Sequence, residues 1–294
     1  MMTNYINKSK HLIALALAIL PAIIIGFLIT QHWVNVPKVD QWNSPGGLFI
    51  EIQKGKLTFG DWIGQHNESR LLVYRLIAVP LAFLTHWDVR YEIVIIFLAA
   101  CGISLSFFRL IQLTCNRNII VQLLLVFGIN LLIFSPIQVD GSGNWLMGIQ
   151  VIMFLVVLCI ALCVLISHSK LNLWVKFLSC VILSLVSTFS FANGMLCWLV
   201  VLPPLIILSV SSWQEIFKRR NIFFAWLACF AFTLYIYFRD YTKVPLASSP
   251  IESLTHPFRS FAFFISLLGS PLGFRNLLAS QTVGLILLLI FIAI

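Results

Sequence analysis

Long apolar runs separated by short polar connectors dominate the chain. The runs are continuous and do not alternate in polarity, a pattern that favours helices over the strands of a membrane barrel. It predicts an all-α membrane protein, a polytopic helical bundle of about eight to nine transmembrane helices. The predicted spans are Leu12–Thr30, Tyr91–Leu113, Ile119–Ile137, Ile149–Ser167, Val175–Phe191, Met195–Val210, Ile222–Phe238, Phe258–Phe274 and Ser280–Ile294.

One polar segment, residues 31–90, is much longer than the other connectors. Within it Leu71–His86 is apolar, but it is short and carries Arg75 and Pro80. An arginine is costly in the hydrocarbon core, so we expect this stretch to lie at the membrane interface. The pattern therefore predicts a first outer loop, 31–90, with interfacial helices, inside a single helical domain that covers residues 1–294. At FANG, residues 191–194, a run too long for one span breaks into a helical hairpin.

Composition supports the membrane class. Hydrophobic residues make up 60% of the chain, charged residues 10%, and mean hydropathy is +1.00. A soluble domain carries about a quarter charged residues. Because the bilayer core offers no water, only helices or closed barrels satisfy the backbone there.

The charged residues predict an orientation. If the N-terminus is cytosolic, the cytosolic connectors hold ten cations against one acid, Glu215, and the outer side holds nine of each. The formal net charge of +9 then lies on the cytosolic side, as the positive-inside rule requires. We predict an integral inner (plasma) membrane protein with a cytoplasmic N-terminus. The cationic excess indicates membrane lipid as a partner, not nucleic acid. No protein partner can be named from the sequence.

The sequence indicates no metal site and identifies no cofactor. Six of the seven cysteines lie in apolar runs and none lies within residues 31–90, so we expect small buried side chains without a disulfide. Asp140, Ser142 and Asn144 resemble the start of a calcium loop. Trp145 and Val151 replace the required glycine and glutamate, which excludes that site. The chain has no Walker, Rossmann or HExxH motif.

Asp40 is the first candidate for chemistry. It follows the first predicted helix by ten residues, close to where lipid headgroups would lie. A carboxylate at that position can serve as a general base on an acceptor hydroxyl. A solvated loop acid or a helix cap is the alternative interpretation.

His66, Asn67, Glu68 and Arg70 precede the apolar stretch that contains Arg75. Asn67 is expected to cap this helix, with Glu68 in its first turn and Arg75 on nearly the same face as Glu68. Guanidinium groups bind phosphate bidentately, so the arginines suit a phosphate-bearing lipid. We take His66, Arg70 and Arg75 as candidate substrate- or carrier-binding residues. Snorkelling of Arg75 toward the headgroups is the alternative.

The second predicted outer loop adds two more candidates. Asp140 and Asn144 lie in the same glycine-rich stretch, just before Trp145. They are candidate carrier-binding residues, and a polar turn beside an aromatic anchor is the other interpretation.

These features together resemble the GT-C-type membrane glycosyltransferases. Asp40 and Trp42 match the D-x-W near the first helix, and residues 67–75 read N-E-x-R-x(4)-R. The segments FSPIQ (134–138), SFANG (190–194) and LLGSP (267–271) resemble short signatures of the same group. The family often has two adjacent acids, whereas Gln41 follows Asp40 here. Its members are generally longer, so the resemblance implies that this chain is an N-terminal fragment.

The resemblance implies transfer of a sugar from a polyprenyl-phosphate carrier to an acceptor at the outer face of the membrane. Asp40 would then be the catalytic base, Glu68 a second catalytic acid or an orienter of the arginines, and Arg70 with Arg75 would hold the carrier phosphate. Two other functions remain open. They are a lipid or small-solute transporter or flippase, and a non-catalytic membrane assembly subunit.

Overall fold

The protein is almost entirely helical in the computed structural model, which describes residues 2–139, 143–207, 219–244, 254–273 and 276–293. An antiparallel pair, β1 (Gln65–His66) and β2 (Ser69–Arg70), is the sheet of the described chain. The α-helices are α1 (Met2–His32), α2 (Gly46–Gln53), α3 (Phe59–Ile63), α4 (Leu72–Thr85), α5 (Arg90–Thr114), α6 (Ile119–Ile133), α7 (Val151–His168), α8 (Leu173–Thr188), α9 (Leu196–Ile207), α10 (Arg220–Phe238), α11 (Pro257–Gly269) and α12 (Leu277–Ala293). Short 3-10 helices occupy Val39–Trp42, Pro136–Val139, Gly148–Gln150, Ala192–Met195 and Ser270–Leu272. The predicted all-α class is confirmed.

Four of the described helices are long and apolar enough to cross a membrane, or five if α11 and α12 count as one bent span. The four are Ser9–His32, Arg90–Thr114, Gly148–His168 and Arg220–Phe238, and only 22–39% of each apolar window is buried inside the chain. Side chains that are apolar yet uncovered by protein suit a lipid environment. The predicted count of eight to nine spans is not confirmed, because α6, α8 and α9, which correspond to predicted spans, are shorter. Helix α8, with 16 residues, rises only about 24 Å against a hydrocarbon core of roughly 30 Å.

The described chain forms two compact units. Unit 1 comprises residues 1–32, 123–146 and 243–294. Within it, Asn130 Nδ2 donates to the Ala18 carbonyl at 2.7 Å, and Ser135 Oγ donates to the Pro271 carbonyl at 2.6 Å. The Ser135 contact joins FSPIQ to LLGSP, so two of the segments that carry the family resemblance pack on each other.

Unit 2 comprises residues 33–122 and 147–242, and its core lies among α7, α8, α9 and α10. Trp198 and Trp226 are fully buried there, and the Trp226 indole donates to the Trp198 carbonyl at 2.9 Å. Cys163, Cys180 and Cys197 are also fully buried, and all seven cysteines are free thiols. They pack as small apolar side chains, as the sequence predicts.

The α8–α9 hairpin breaks where FANG predicts. The 3-10 helix Ala192–Met195 joins the two helices, and Ser187 Oγ donates to the Gly194 carbonyl at 3.1 Å. A methyl group on Gly194 would overlap the Ser187 carbonyl, so only glycine allows this close approach.

Residues 33–71 contact helices α5 and α10 of unit 2 at one end, through Glu92 and Tyr237. We call this end the loop end. It includes the beginnings of α5 and α7 and the ends of α8 and α10, as the hydrogen bonds below show. All seven acids of the described chain belong to segments at the loop end, namely Asp40, Glu51, Asp61, Glu68, Asp88, Glu92 and Asp240. The opposite end of unit 2 carries the cations Arg109, Arg117, Lys170, Lys176, Arg219 and Arg220.

Helix α4 begins and ends at the loop end. Near its start the Val73 amide donates to the Phe189 carbonyl at 3.1 Å. Just after its last turn the Trp87 ring lies edge-on to Trp42, with centroids 5.4 Å apart. A helix that starts and finishes on one side does not cross unit 2, which agrees with the prediction that Leu71–His86 is not a span.

Candidate functional site

A single short turn, the 3-10 helix Val39–Trp42, presents two neighbouring polar side chains to different partners. Asp40 faces His66 of strand β1, and Gln41 faces Glu92 of helix α5. Val39 precedes them with φ of +41°, a left-handed conformation that a β-branched residue rarely adopts. Such strain costs about 1–3 kcal/mol and is found most often at functional sites.

The Asp40–His66 pair is half-buried. Asp40 Oδ2 lies 3.8 Å from His66 Nε2, and the two side chains are 39% and 15% exposed. His66 Nε2 is itself buried and makes no hydrogen bond in the described part of the chain. Burial lowers the pKa of His66 below its ordinary value, Asp40 opposes this shift, and Arg75 adds to it. A neutral imidazole beside a carboxylate can share or accept a proton.

Gln41 holds the Asp40 turn against helix α5. It is 1% exposed, its Oε1 accepts from the Lys38 amide at 3.1 Å, and its Nε2 donates to Glu92 Oε2 at 3.0 Å. The Tyr74 hydroxyl donates to the same Glu92 oxygen at 2.8 Å. Glu92 is only 3% exposed, and a methyl group on Gly148 would overlap its carboxylate. The first turn of α5 therefore holds the Asp40 turn through a buried carboxylate.

Arg75 also holds the Asp40 turn, and in the described part of the chain it does so without a carboxylate partner. Its Nε donates to Ser44 Oγ at 3.2 Å, and its Nη1 donates to the carbonyls of Asp61, Trp62 and Gly64 at 3.1, 2.9 and 2.7 Å. Ser44 in turn donates its amide to the Asp40 carbonyl at 2.8 Å. One guanidinium thus ties the Asp40 turn to the end of α3, two residues before His66.

The arrangement places Arg75 inside the protein rather than at the headgroups. The residue is 5% exposed, so the snorkelling alternative is wrong. Its four hydrogen bonds use Nε and Nη1, and none within the described residues uses Nη2. Nη2 is therefore the part of the group left for an anion.

Helix α3, whose carbonyls Arg75 binds, begins with a capping box. The Thr58 amide and hydroxyl each donate to Asp61 Oδ2 at 2.7 Å, and these bonds lower the pKa of Asp61. An acid in the first turn suits the positive end of a helix, so Asp61 has a structural role.

The Arg70 side chain donates hydrogen bonds to backbone carbonyls. Its Nε donates to the Tyr237 carbonyl at 2.6 Å, its Nη1 to the Ile63 carbonyl at 2.9 Å, and its Nη2 to the Arg239 carbonyl. It is 6% exposed, and every one of its three nitrogens has a carbonyl partner. Arg70 fastens the first loop to the end of α10, which weakens the prediction that it holds a carrier phosphate.

A second pair of hydrogen bonds between the first predicted outer loop and the segment after α10 lies beside Arg70. The Gln65 amide bonds both the amide and the carbonyl of Thr242, at 2.9 and 2.7 Å. The segment that follows α10 therefore contacts the first predicted outer loop.

The structure corrects the prediction for residues 66–70. They form a β-hairpin, with Gln65 opposite Arg70 and His66 opposite Ser69, and α4 begins only at Leu72. Asn67 is a turn residue with φ of +49°, not a helix cap. Glu68 is exposed at the turn, with no side-chain hydrogen bond or ion pair in the described chain, while its carbonyl accepts from the Tyr237 hydroxyl at 3.1 Å. The expected alignment of Glu68 with Arg75 on one helix face is wrong, because Glu68 is outside the helix.

The second predicted outer loop lies partly outside the described residues. Asp140 lies outside the described residues. Asn144 belongs to unit 1, beside Trp145, whose buried indole donates to the Ser135 carbonyl at 3.2 Å. Of the predicted site residues, the structure therefore brings together Asp40, His66 and Arg75.

Gln41, Ser44, Tyr74 and Glu92 were not among the candidates. Glu92 carried a usable signal, because it is the single acid in a 25-residue apolar helix, and buried charges in such helices are expensive. Gln41 and Ser44 carried no such signal, because polar residues in a loop are ordinary. No group of three or more potential metal ligands occurs in the residues that the structure describes.

Comparison of the chain with protein-family models, with curated proteins and with solved structures found no match.

Removing the Glu92 carboxylate should destabilise unit 2. We expect Glu92→Ala to lower the free energy of unfolding by about 2–5 kcal/mol, because two buried donors, Gln41 Nε2 and Tyr74 Oη, would lose their acceptor. Glu92→Gln retains a carbonyl acceptor and should cost less. Thermal and denaturant unfolding in nanodiscs measures the difference. Glu51→Ala is the matched control, because the partner of Glu51 in the described chain is the exposed Lys54, and the unfolding of this variant should match that of the unmodified chain. Equal stability of Glu92→Ala and Glu51→Ala would contradict this role.

Proposed function

We propose that this chain is a membrane glycosyltransferase that moves a sugar from a polyprenyl-phosphate carrier to an acceptor hydroxyl. In the proposed step the acceptor oxygen forms a bond to the anomeric carbon as the bond from that carbon to the phosphate oxygen breaks. The acceptor proton passes to Asp40, and the carrier leaves as polyprenyl phosphate.

The observation that carries the proposal is the Asp40–His66 pair. Asp40 is accessible enough to meet a substrate, and it lies 3.8 Å from a buried imidazole nitrogen that has no other partner among the described residues. His66 can take over the proton from Asp40 and restore the base. The pair is held by the buried Glu92 and Arg75 side chains, and rigid support of this kind favours reactive geometry.

The Arg75 side chain supports the donor half of the reaction. Its free Nη2 could bind one oxygen of the carrier phosphate while Nε and Nη1 keep their protein partners. Arg70 and Glu68 have no role in the proposed step, because the former is occupied by carbonyls and the latter is exposed at the hairpin turn.

Transfer can be tested directly. The purified chain in proteoliposomes would be incubated with short-chain polyprenyl-phosphate sugars and a panel of acceptor glycosides, and release of polyprenyl phosphate would be followed by mass spectrometry. Carrier release that depends on an acceptor and on Asp40 supports the proposal. Release that is identical in Asp40→Asn contradicts it.

We also propose that the loop end faces outward and that the N-terminus is cytoplasmic in the inner membrane. The support is the separation of charge in unit 2, where the described acids lie at the loop end and six cations lie at the other. Cysteines substituted for Asn43 and Lys170 should then react oppositely with a membrane-impermeant thiol reagent. Asn43→Cys should be labelled in intact cells, and Lys170→Cys only after lysis. The reverse pattern would overturn the orientation.

A transporter of lipid or small solute is the second candidate, and buried Glu92 favours it. Ionisable residues within spanning helices often mark ion or substrate pathways. If the chain is a transporter, Glu92→Gln should abolish solute uptake or lipid scrambling in vesicles. The unmodified chain should then show no detectable sugar transfer.

A further inference from the structure

An aromatic pocket lies beside the Asp40 turn, between helices α2 and α4. Its volume is about 190 Å³, and it is lined by Phe49, Gln53, Ala82, Phe83, His86 and Trp87. The Phe49 ring is nearly perpendicular to both Trp87 and Phe83, at 80° and 77°. This volume is below the roughly 300–1,000 Å³ of sites for drug-sized ligands and suits a single small ring.

The backbone holds Trp87 in an unusual way. His86 and Trp87 both have positive φ, +56° and +57°, and both donate their amides to the Ala82 carbonyl at the end of α4. Left-handed helix ends normally use glycine or asparagine. The Trp87 ring also packs against Gly46, which leaves little room for a larger residue there. The tryptophan is therefore fixed against α2.

The pocket also carries polar groups that have no protein partner. The Trp87 indole nitrogen is buried and makes no hydrogen bond in the described chain. Gln53 and His86 likewise have exposed side chains without a hydrogen bond among the described residues. A buried donor without an acceptor costs free energy unless a ligand satisfies it.

We propose that this pocket binds one sugar ring, and that it holds the acceptor glycoside of the transfer. The second half of the proposal rests on the proposed function, because Trp42, in contact with Trp87, belongs to the same turn as Asp40. An acceptor hydroxyl at the pocket edge would then be delivered toward the base.

The chemistry favours a sugar over a hydrocarbon chain. The C–H face of a pyranose can lie against aromatic rings, while its hydroxyls accept from the indole N–H and bond Gln53 and His86. A lipid chain would fill the apolar walls but would leave the buried indole N–H of Trp87 unpaired.

Saturation-transfer NMR on the full chain in nanodiscs tests the sugar site. Sugar-headed detergents are avoided because they would compete. The probes are methyl α- and β-glucoside, galactoside, mannoside and N-acetylglucosaminide. We expect at least one to show saturable transfer to its ring protons. Trp87→Phe and Gln53→Ala should each weaken its affinity roughly 3- to 10-fold, the effect of one lost hydrogen bond.

Trp174→Phe is the matched control, because Trp174 is exposed at the start of α8, away from the pocket. It should bind like the unmodified chain. The exposed Gln53→Ala variant keeps the test valid if Trp87→Phe does not fold. No saturable binding by any probe, or equal binding in all variants, overturns the proposal, as does displacement of the probe by farnesol. Trp87-dependent binding without any detectable transfer would retain the sugar site and reject the glycosyltransferase.

Discussion

Asp40→Asn should lower sugar transfer by about 10²- to 10⁴-fold, the usual contribution of a general base. The amide has nearly the same shape but cannot accept the acceptor proton. The free energy of unfolding should hardly change, because the Asp40 side chain is 39% exposed and its partner among the described residues is His66, at 3.8 Å. Initial rates of carrier release measure the loss of transfer. Unfolding curves on the same preparation measure the stability.

Glu51→Gln is the matched control for Asp40→Asn. It also converts an exposed acid of the first loop to its amide, and it should retain the transfer rate. A loss of transfer as large as that of Asp40→Asn would indicate a general effect of loop charge and contradict the catalytic role.

The pH profile provides an independent check of the pair. The folded pKa of His66 lies below its ordinary value of 6.5, because burial disfavours the imidazolium. Transfer that needs neutral His66 should therefore persist at pH 6.5 and above, and fall only as the pH drops through this lowered pKa. The same group contributes stability above its unfolded pKa that is lost over the same acidic range.

Sequence alone predicted the helical elements well where the apolar pattern was long. The runs near 91–113, 149–167 and 222–238 correspond to α5, α7 and α10, and the stretch Leu71–His86, with its arginine and proline, forms the shorter α4. The count of spans was less predictable. Apolar runs show which residues avoid water, but the boundary of a helix also depends on turns such as the 3-10 helix Pro136–Val139, which ends the predicted span 119–137 early.

The candidate site was only partly accessible to sequence reasoning. Asp40, His66 and Arg75 were named because charges are rare in this chain. The hairpin was missed because two-residue strands have no detectable period, so His66–Arg70 resembled the start of a helix. The Gln41–Glu92 bond joins residues 51 positions apart, and no local pattern encodes such a contact. The sequence showed that burying Arg75 would be costly. It did not show that backbone carbonyls, and not an acid, would be the partners of Arg75.

Arg75→Ala should impair both folding and transfer. The side chain makes four hydrogen bonds that join Ser44 to the end of α3, so its loss separates the segment carrying Asp40 from the segment carrying His66. Three part-buried carbonyls and the buried Ser44 hydroxyl would lose their donor, and we expect the free energy of unfolding to fall by about 3 kcal/mol or more. Transfer measured on the folded fraction should fall as well.

Arg75→Lys separates the contribution of charge from that of geometry. A lysine keeps the positive charge but has a single nitrogen, which cannot reach Ser44 and the α3 carbonyls together and still offer a hydrogen to phosphate. We expect it to be intermediate between Arg75→Ala and the unmodified chain in stability, with weaker apparent affinity for the carrier. Arg90→Lys is the control, because Arg90 is exposed and its side chain bonds the loop acid Asp88 two residues away. Arg75→Lys could instead match the unmodified chain in both unfolding and carrier affinity. A single positive charge would then be enough for both properties. That result would contradict the guanidinium's proposed roles in linking the two segments and in binding the phosphate through Nη2.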